Sequence, residues 1–241
     1  MYSLFSYLIS IAPAGLLAAA LLALLPKARV SLRVSIYILF FMFARDAMGP
    51  HGFWRLGPGT LVLTAGNETL LALALMCAAL CLTVLFLETP ACSQLSWWPR
   101  EQRLKAIGWG ITGAIFIGVV VHLLKNAANL QPMINFSPGF HGAILVFALA
   151  GNMFEELMFR GILQSRLALT FSPLRAITLT ALLFSFCHIW LAQLTSSAGI
   201  SVLVFTLIEG WVAGFVYWRS GLVAATLAHG LAIYGLATGM Y

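Results

Sequence analysis

Charge is what this chain has least of. Only 8% of its 241 residues are Asp, Glu, Lys or Arg, where soluble domains carry about 25%. So few charges cannot clothe a water-facing surface, and the 61% apolar content points instead to a polytopic membrane protein. Acidic residues are the scarcest, seven against thirteen basic ones. The basic residues are scattered between apolar runs and form no stripe, so the net charge of +6 reads as positive loops at a lipid bilayer and excludes a nucleic-acid partner. Cysteine is sparse too: Cys77, Cys81, Cys92 and Cys187 lack metal-ligand spacing and read as packing residues. No internal repeat or low-complexity tract is visible. The N-terminus lacks the basic segment and small-residue cleavage pattern of a signal peptide, so the first apolar run is expected to stay as a helix.

What is present is a series of apolar runs, each near the length of about 20 residues that a helix needs to cross the hydrocarbon core. They fall at approximately 4–25, 30–45, 66–87, 107–124, 141–163, 175–192, 198–218 and 222–240. The expected fold is therefore all-α, a polytopic transmembrane bundle of about eight helices. Lys27, Arg29, Arg33, Arg100, Arg103, Lys105, Arg166, Arg175 and Arg219 then share one side, and Arg45, Arg55 and Lys125 the other. That bias favours an N-out/C-out orientation, because cytoplasmic loops concentrate Lys and Arg. The second run is the weakest: Arg29 and Arg33 bound it on one side and Arg45-Asp46 on the other, leaving a short span that could also lie in the interface or re-enter. Gly49-Pro50 and Gly57-Pro58-Gly59 mark an irregular loop after it. The stretch from Glu88 to Lys105 separates N-terminal transmembrane helices, residues 1–106, from a catalytic transmembrane core, residues 107–241, with its motifs within 141–235.

Glu155 and Glu156 stand together inside the fifth run, where a carboxylate costs about 2.5–3.5 kcal/mol on insertion scales and must be paired or used. Glu156 and Arg160 are four apart and share a helix face, in the order that suits the helix dipole. Glu155 is rotated about 100° away with no local partner, which suits a general base; a plain packing network of both glutamates with Arg160 is the bland alternative.

Hairpin geometry supplies partners. The midpoint between Glu155 and His188 falls at the Phe171-Ser172-Pro173 turn, so the two side chains are expected at one membrane depth. Phe184 lies one turn before His188, placed either to pack the core or to shield the site from lipid. His229 sits in the final run among Ala225, Ala228 and Gly230, whose small size lets another helix approach, and Gly210 and Gly214 are a small-xxx-small pair that could receive it. A hairpin about Ser220 brings Glu209 near the depth of His229. His122 and His141 read as interfacial.

Glu155-Glu156-x-x-x-Arg160, then Phe184-x-x-x-His188, then His229 after Gly210-x-x-x-Gly214-x-x-Tyr217-x-Arg219-x-Gly221, together resemble the CPBP intramembrane glutamic endopeptidases, also called the type II CAAX-processing or abortive-infection family. The resemblance covers roughly residues 141–235. It implies a membrane endopeptidase in which Glu155 and His188 activate a water, Glu156 and Arg160 brace the site, and His229 helps hold the oxyanion. One position departs from the pattern: four residues after the last His the family carries Asn or a similar polar residue, and here stands Ile233. Asn152, one turn before the glutamate pair, and Tyr234 are the candidate replacements for that donor.

The expected reaction is hydrolysis of a peptide bond by activated water without a covalent intermediate. No cofactor is expected. Zinc held by Glu155, His188 and His229 is the runner-up mechanism, although the chain lacks His-Glu-x-x-His. Cys187 is adjacent to His188 but points about 100° away on a helix, which disfavours a nucleophile–base pair. An idle chaperone of the same fold and a proton-coupled transporter are the alternative functions. The expected partners are the bilayer and a membrane-embedded or lipidated peptide or protein substrate, with prenylated tails, bacteriocin leaders and C-terminal sorting signals all known family uses. The expected location is a prokaryotic cytoplasmic membrane.

Overall fold

A computed structural model describes residues 4–57, 60–93, 95–99, 102–127, 137–194 and 199–240. Helices dominate: α1 Leu4–Leu24, α2 Val30–Ala47, α3 Asn67–Leu87, α4 Thr89–Cys92, α5 Arg103–Ala127, α6 Pro138–Glu156, α7 Ser165–Leu167, α8 Pro173–Phe186, α9 Ile189–Leu194 and α10 Gly199–Thr238. Between α6 and α7 the chain stays helical but winds as a π-helix over Leu157–Gln164. Among the described residues five helical segments have the length and apolarity to cross a membrane, and the protein is an all-α polytopic integral membrane bundle.

The 40 residues of α10 would span about 60 Å if straight, twice the hydrocarbon thickness. They do not run straight. Gly221 adopts φ 81° and ψ −178°, a conformation that an L side chain resists, and the two limbs fold back so that Glu209 meets His229. The break falls one residue after the Ser220 turn expected from the sequence. The stretch after α4 closes the break: Leu222 N–H donates to Ser96 O at 2.7 Å and Val223 N–H to Trp97 O at 3.2 Å. These bonds satisfy amides at the start of the second limb that no intrahelical carbonyl can reach. A Cβ at Gly221 would lie 2.7 Å from Ser96 O. Gly221→Ala is therefore expected to lower stability by roughly 1–3 kcal/mol, read as a drop in the thermal unfolding temperature in detergent. An unchanged melt would refute the strain.

Two expectations are corrected here. The segment after α2 is irregular only around Gly49-Pro50: further on, β1 Trp54–Gly57 and β2 Thr60–Leu63 pair antiparallel with Trp54 opposite Leu63, and Pro58 and Gly59 lie outside the described residues. The sixth apolar run is not one continuous helix either. α8 ends at Phe186, and Cys187-His188 form a turn before α9. The cause is chemical: His188 Nδ1 takes the Phe184 carbonyl at 2.7 Å, the acceptor that its own backbone N–H would use in an α-helix, and that N–H moves to Ser185 O at 2.9 Å.

The weakest expected span, α2, is a continuous 18-residue helix whose terminal arginines both turn into the protein. Arg33 grips Glu88 through Nε (2.8 Å) and Nη2 (2.6 Å), and its Nη1 donates to the Leu22 and Leu25 carbonyls. Tyr37 adds a hydroxyl bond to the same carboxylate at 3.1 Å. A bidentate, buried pair of this kind joins the ends of α1, α2 and α3. Arg45, at the other end of α2, enters the site described next.

Candidate active site

Glu155 and Glu156 close α6, and the helix period turns them toward different partners. Glu156 is fully buried and shared: its Oε1 accepts from Arg160 Nη1 at 2.8 Å and lies 2.7 Å from His229 Nδ1. Arg160 is the largest fully buried side chain; its Nη2 donates to Gly210 O at 2.9 Å, and its guanidinium carbon lies 4.6 Å from the centre of the Phe184 ring. One turn on, Gln164 Nε2 donates to Gly214 O at 3.0 Å. Two side chains four residues apart thus reach two α10 carbonyls four residues apart. Both contacts are made from within the π segment.

The small pair Gly210 and Gly214 does not receive the final limb of α10, as the spacing alone suggested. A Cβ at Gly210 would meet Ala181 Cα and Phe184 Cδ1 at 3.2 Å, and one at Gly214 would meet Gln164 Oε1 at 2.8 Å. The glycines therefore admit α8 and the polar side chains of the π segment. A Cβ at Gly230 would lie 2.8 Å from Leu149 Cδ2 of α6, and one at Gly113 of α5 would lie 2.9 Å from Ala228 Cβ.

Glu155 turns the other way, to the wall of a cavity of about 190 Å³. Its Oε2 lies 3.7 Å from His229 Nε2, which also stands 3.4 Å from Glu209 Oε2. Both ring nitrogens of His229 therefore face carboxylate oxygens, an arrangement that two N–H donors satisfy. His188 arrives from the α8–α9 break. The carbonyl of Phe184 can only accept, so His188 Nδ1 carries the proton and Nε2 presents a lone pair. That lone pair meets Arg45 Nη1 at 2.7 Å, and the same nitrogen lies 3.4 Å from Glu155 Oε1. Glu155, His188 and His229 converge as the hairpin arithmetic anticipated, with Arg45 between the first two.

Phe184, fully buried, packs beneath the cluster: its ring centre is 4.7 Å from His188 and 5.5 Å from His229. Asn152 lines the cavity and donates its amide to Ala148 O at 2.7 Å. Tyr234 is engaged elsewhere, its hydroxyl 3.1 Å from His141 Nδ1, while Ile233 itself lines the cavity.

Two participants were not identified in the sequence. Gln164 carried no signal beyond being a polar residue one turn past Arg160. Arg45 read as a loop charge flanking a short span, and the one clue was that its removal from the charged side would have left that span longer. Glu155, for its part, lacks a local partner as expected, but finds one 110 positions away.

The fold and this cluster define a class: an integral membrane helical bundle with a buried Glu/His/Arg centre opening on an apolar cavity. Residues 137–234 match the family described as Type II CAAX prenyl endopeptidase Rce1-like, in agreement with the CPBP resemblance. At the level of the family, this match supports a CAAX-type intramembrane protease whose substrate is a membrane-associated protein. No curated protein and no solved structure matches the chain. The matched stretch contains Glu155, Glu156, Arg160, His188, Glu209 and His229; Arg45 lies outside it.

Proposed function

We propose that the protein hydrolyses a peptide bond of a membrane-embedded or lipidated peptide or protein, using water activated by Glu155 and His188. The observation that carries this reading is the joint approach of Glu155 and His188 to one point on the cavity wall, each within hydrogen-bonding reach of Arg45 Nη1 (3.4 and 2.7 Å). A water between a carboxylate and an unprotonated imidazole nitrogen has two acceptors for its protons, which is the geometry general-base catalysis requires.

The steps follow from the positions. Glu155 takes a proton from the water as its oxygen attacks the peptide carbonyl carbon, and the carbonyl electron pair moves to oxygen. His229, held through Nδ1 by Glu156, gives its Nε2–H to the developing negative charge in place of Glu209. Collapse of the tetrahedral intermediate breaks the C–N bond as the proton on Glu155 passes to the leaving nitrogen. The products are a new carboxylate terminus and a free amine. Glu156 and Arg160 keep His229 in register, and Phe184 with the apolar cavity walls excludes lipid and bulk water, strengthening each charge interaction inside.

The same geometry supports a route without metal. Zinc, if bound, would be held by Glu155, His188 and His229 and would supply Lewis-acid activation of the water; Arg45 Nη1 faces both Glu155 and His188, and among the described residues no three His, Cys, Asp or Glu side chains stand as a ligand set. The test is cleavage of a membrane-tethered peptide by the purified protein before and after exhaustive chelation. Retained cleavage with well under one zinc per chain is expected. Loss on chelation, restored by zinc, would turn Glu155 from base into ligand.

A further inference from the structure

The chain lacks the polar side chain at position 233; of the two candidate replacements only Asn152 lines the cavity, and both have polar groups engaged elsewhere. Tyr234 pairs with His141, and the Asn152 amide donates back along its own helix. A different donor stands at the centre of the site. Arg45 is anchored on two sides: Nε and Nη2 reach Asp46 Oδ1 at 3.0 and 2.9 Å, and Nη2 also donates to Cys187 O at 3.2 Å. These contacts leave Nη1 aimed at the cavity wall, between Glu155 and His188.

Resting on the protease reading, we propose that Arg45 is a catalytic residue of this protein: its Nη1 donates to the carbonyl oxygen of the scissile peptide bond and holds the negative charge that forms there, filling the place that Ile233 leaves apolar. An arginine is suited to the task because its guanidinium keeps its proton in proteins and presents several donors in a fixed fork. The anchors matter as much as the charge. A donor already held by Asp46 and the Cys187 carbonyl needs no reorganisation when the oxyanion appears, and in a water-poor site such a donor acts at full strength.

In the substrate-free site Nη1 spends its hydrogen bonds on His188 Nε2 and Glu155 Oε1. When substrate and water enter, the water takes the two acceptors and Nη1 turns to the carbonyl oxygen, a change of partner without a change of anchor. No proton leaves Arg45 at any step: the proton of the attacking water travels through Glu155 to the leaving nitrogen. The assignment also explains why α2 carries an arginine into an apolar bundle, where an unpaired cation is costly.

The experiment uses the full chain in lipid nanodiscs and a fluorogenic membrane-tethered peptide, with Glu155→Gln as the control for the protease reading. Against wild type, Arg45→Ala is expected to lower kcat by about 10²–10³ with little change in KM, the signature of a contact made only in the transition state. Added guanidinium ion is expected to restore part of the rate, which a merely structural role would not allow. Ile233→Asn in the Arg45→Ala background is expected to recover part of it as well, by returning a donor to the apolar position.

An Arg45→Ala protein with unchanged or raised kcat overturns the assignment, a rise identifying Arg45 as a plug over the base. Should Arg45→Ala fail to fold, the single Ile233→Asn variant still decides: an increase of about tenfold or more would mean that the oxyanion donor was missing all along. A wild-type protein that cleaves no membrane-tethered peptide overturns the protease reading, and this assignment with it.

Discussion

Glu155→Gln is expected to lower peptide cleavage by about 10²–10⁴, the range that a positioned general base contributes, while the thermal unfolding temperature in detergent stays near that of the wild type. The amide keeps the shape of the carboxylate and removes its capacity to take a proton from water. Stability is expected to hold because Arg45, the cation nearest Glu155, retains Asp46 and the Cys187 carbonyl as partners. His229 likewise retains Glu156 and Glu209. The paired measurement is a cleavage rate and a melt on the same preparation. Full cleavage by a folded Glu155→Gln protein would exclude Glu155 as the base.

Glu156→Gln is expected to do the reverse, with stability as its largest effect. Among the described residues the Glu156 carboxylate is the one anion paired with Arg160, and both side chains are fully buried. Once it is neutralised, Arg160 is left with the Gly210 carbonyl and the face of Phe184, and a buried cation so deprived costs roughly 3–5 kcal/mol. His229 faces a neutral amide oxygen in place of a carboxylate in the same substitution, so its ring is held more weakly from the Nδ1 side and cleavage is expected to fall as a consequence. A large drop in the melting temperature of Glu156→Gln beside a small one in Glu155→Gln is the expected pattern. The opposite order would mean that the two adjacent carboxylates exchange roles, with Glu155 bracing the fold and Glu156 facing the chemistry.

The difference between these neighbours was legible in the sequence because a helix rotates by about 100° per residue, and the i, i+4 relation of Glu156 to Arg160 needs nothing beyond local geometry. Depth matching was legible for a similar reason. Where two spans are joined by a short turn, counting residues from the turn places side chains at equal height, and this brought Glu155 level with His188 and Glu209 level with His229. The count survived the break at Cys187-His188, because that break shifts a backbone bond by one position and leaves the height of His188 nearly unchanged. The π segment was not legible. Its sequence, Leu157–Gln164, has the apolar content of an α-helical span and carries no local mark of the wider winding.

The sequence by itself determined the helical class, the placement of the apolar spans and the identity of the buried glutamates and histidines, because insertion into a bilayer responds to local hydropathy and each intramembrane charge must be answered. Only the tertiary structure decided the fate of Arg45 and the partners of Gly210 and Gly214. Those outcomes depend on which helix faces meet between segments far apart in the chain, as Arg45 meets Glu155 110 positions on and His188 143 positions on. A charge near the end of a span has the same local pattern whether it turns to the headgroups or to the interior, and only the packing of α2 beside α6 and the α8–α9 turn separates the two.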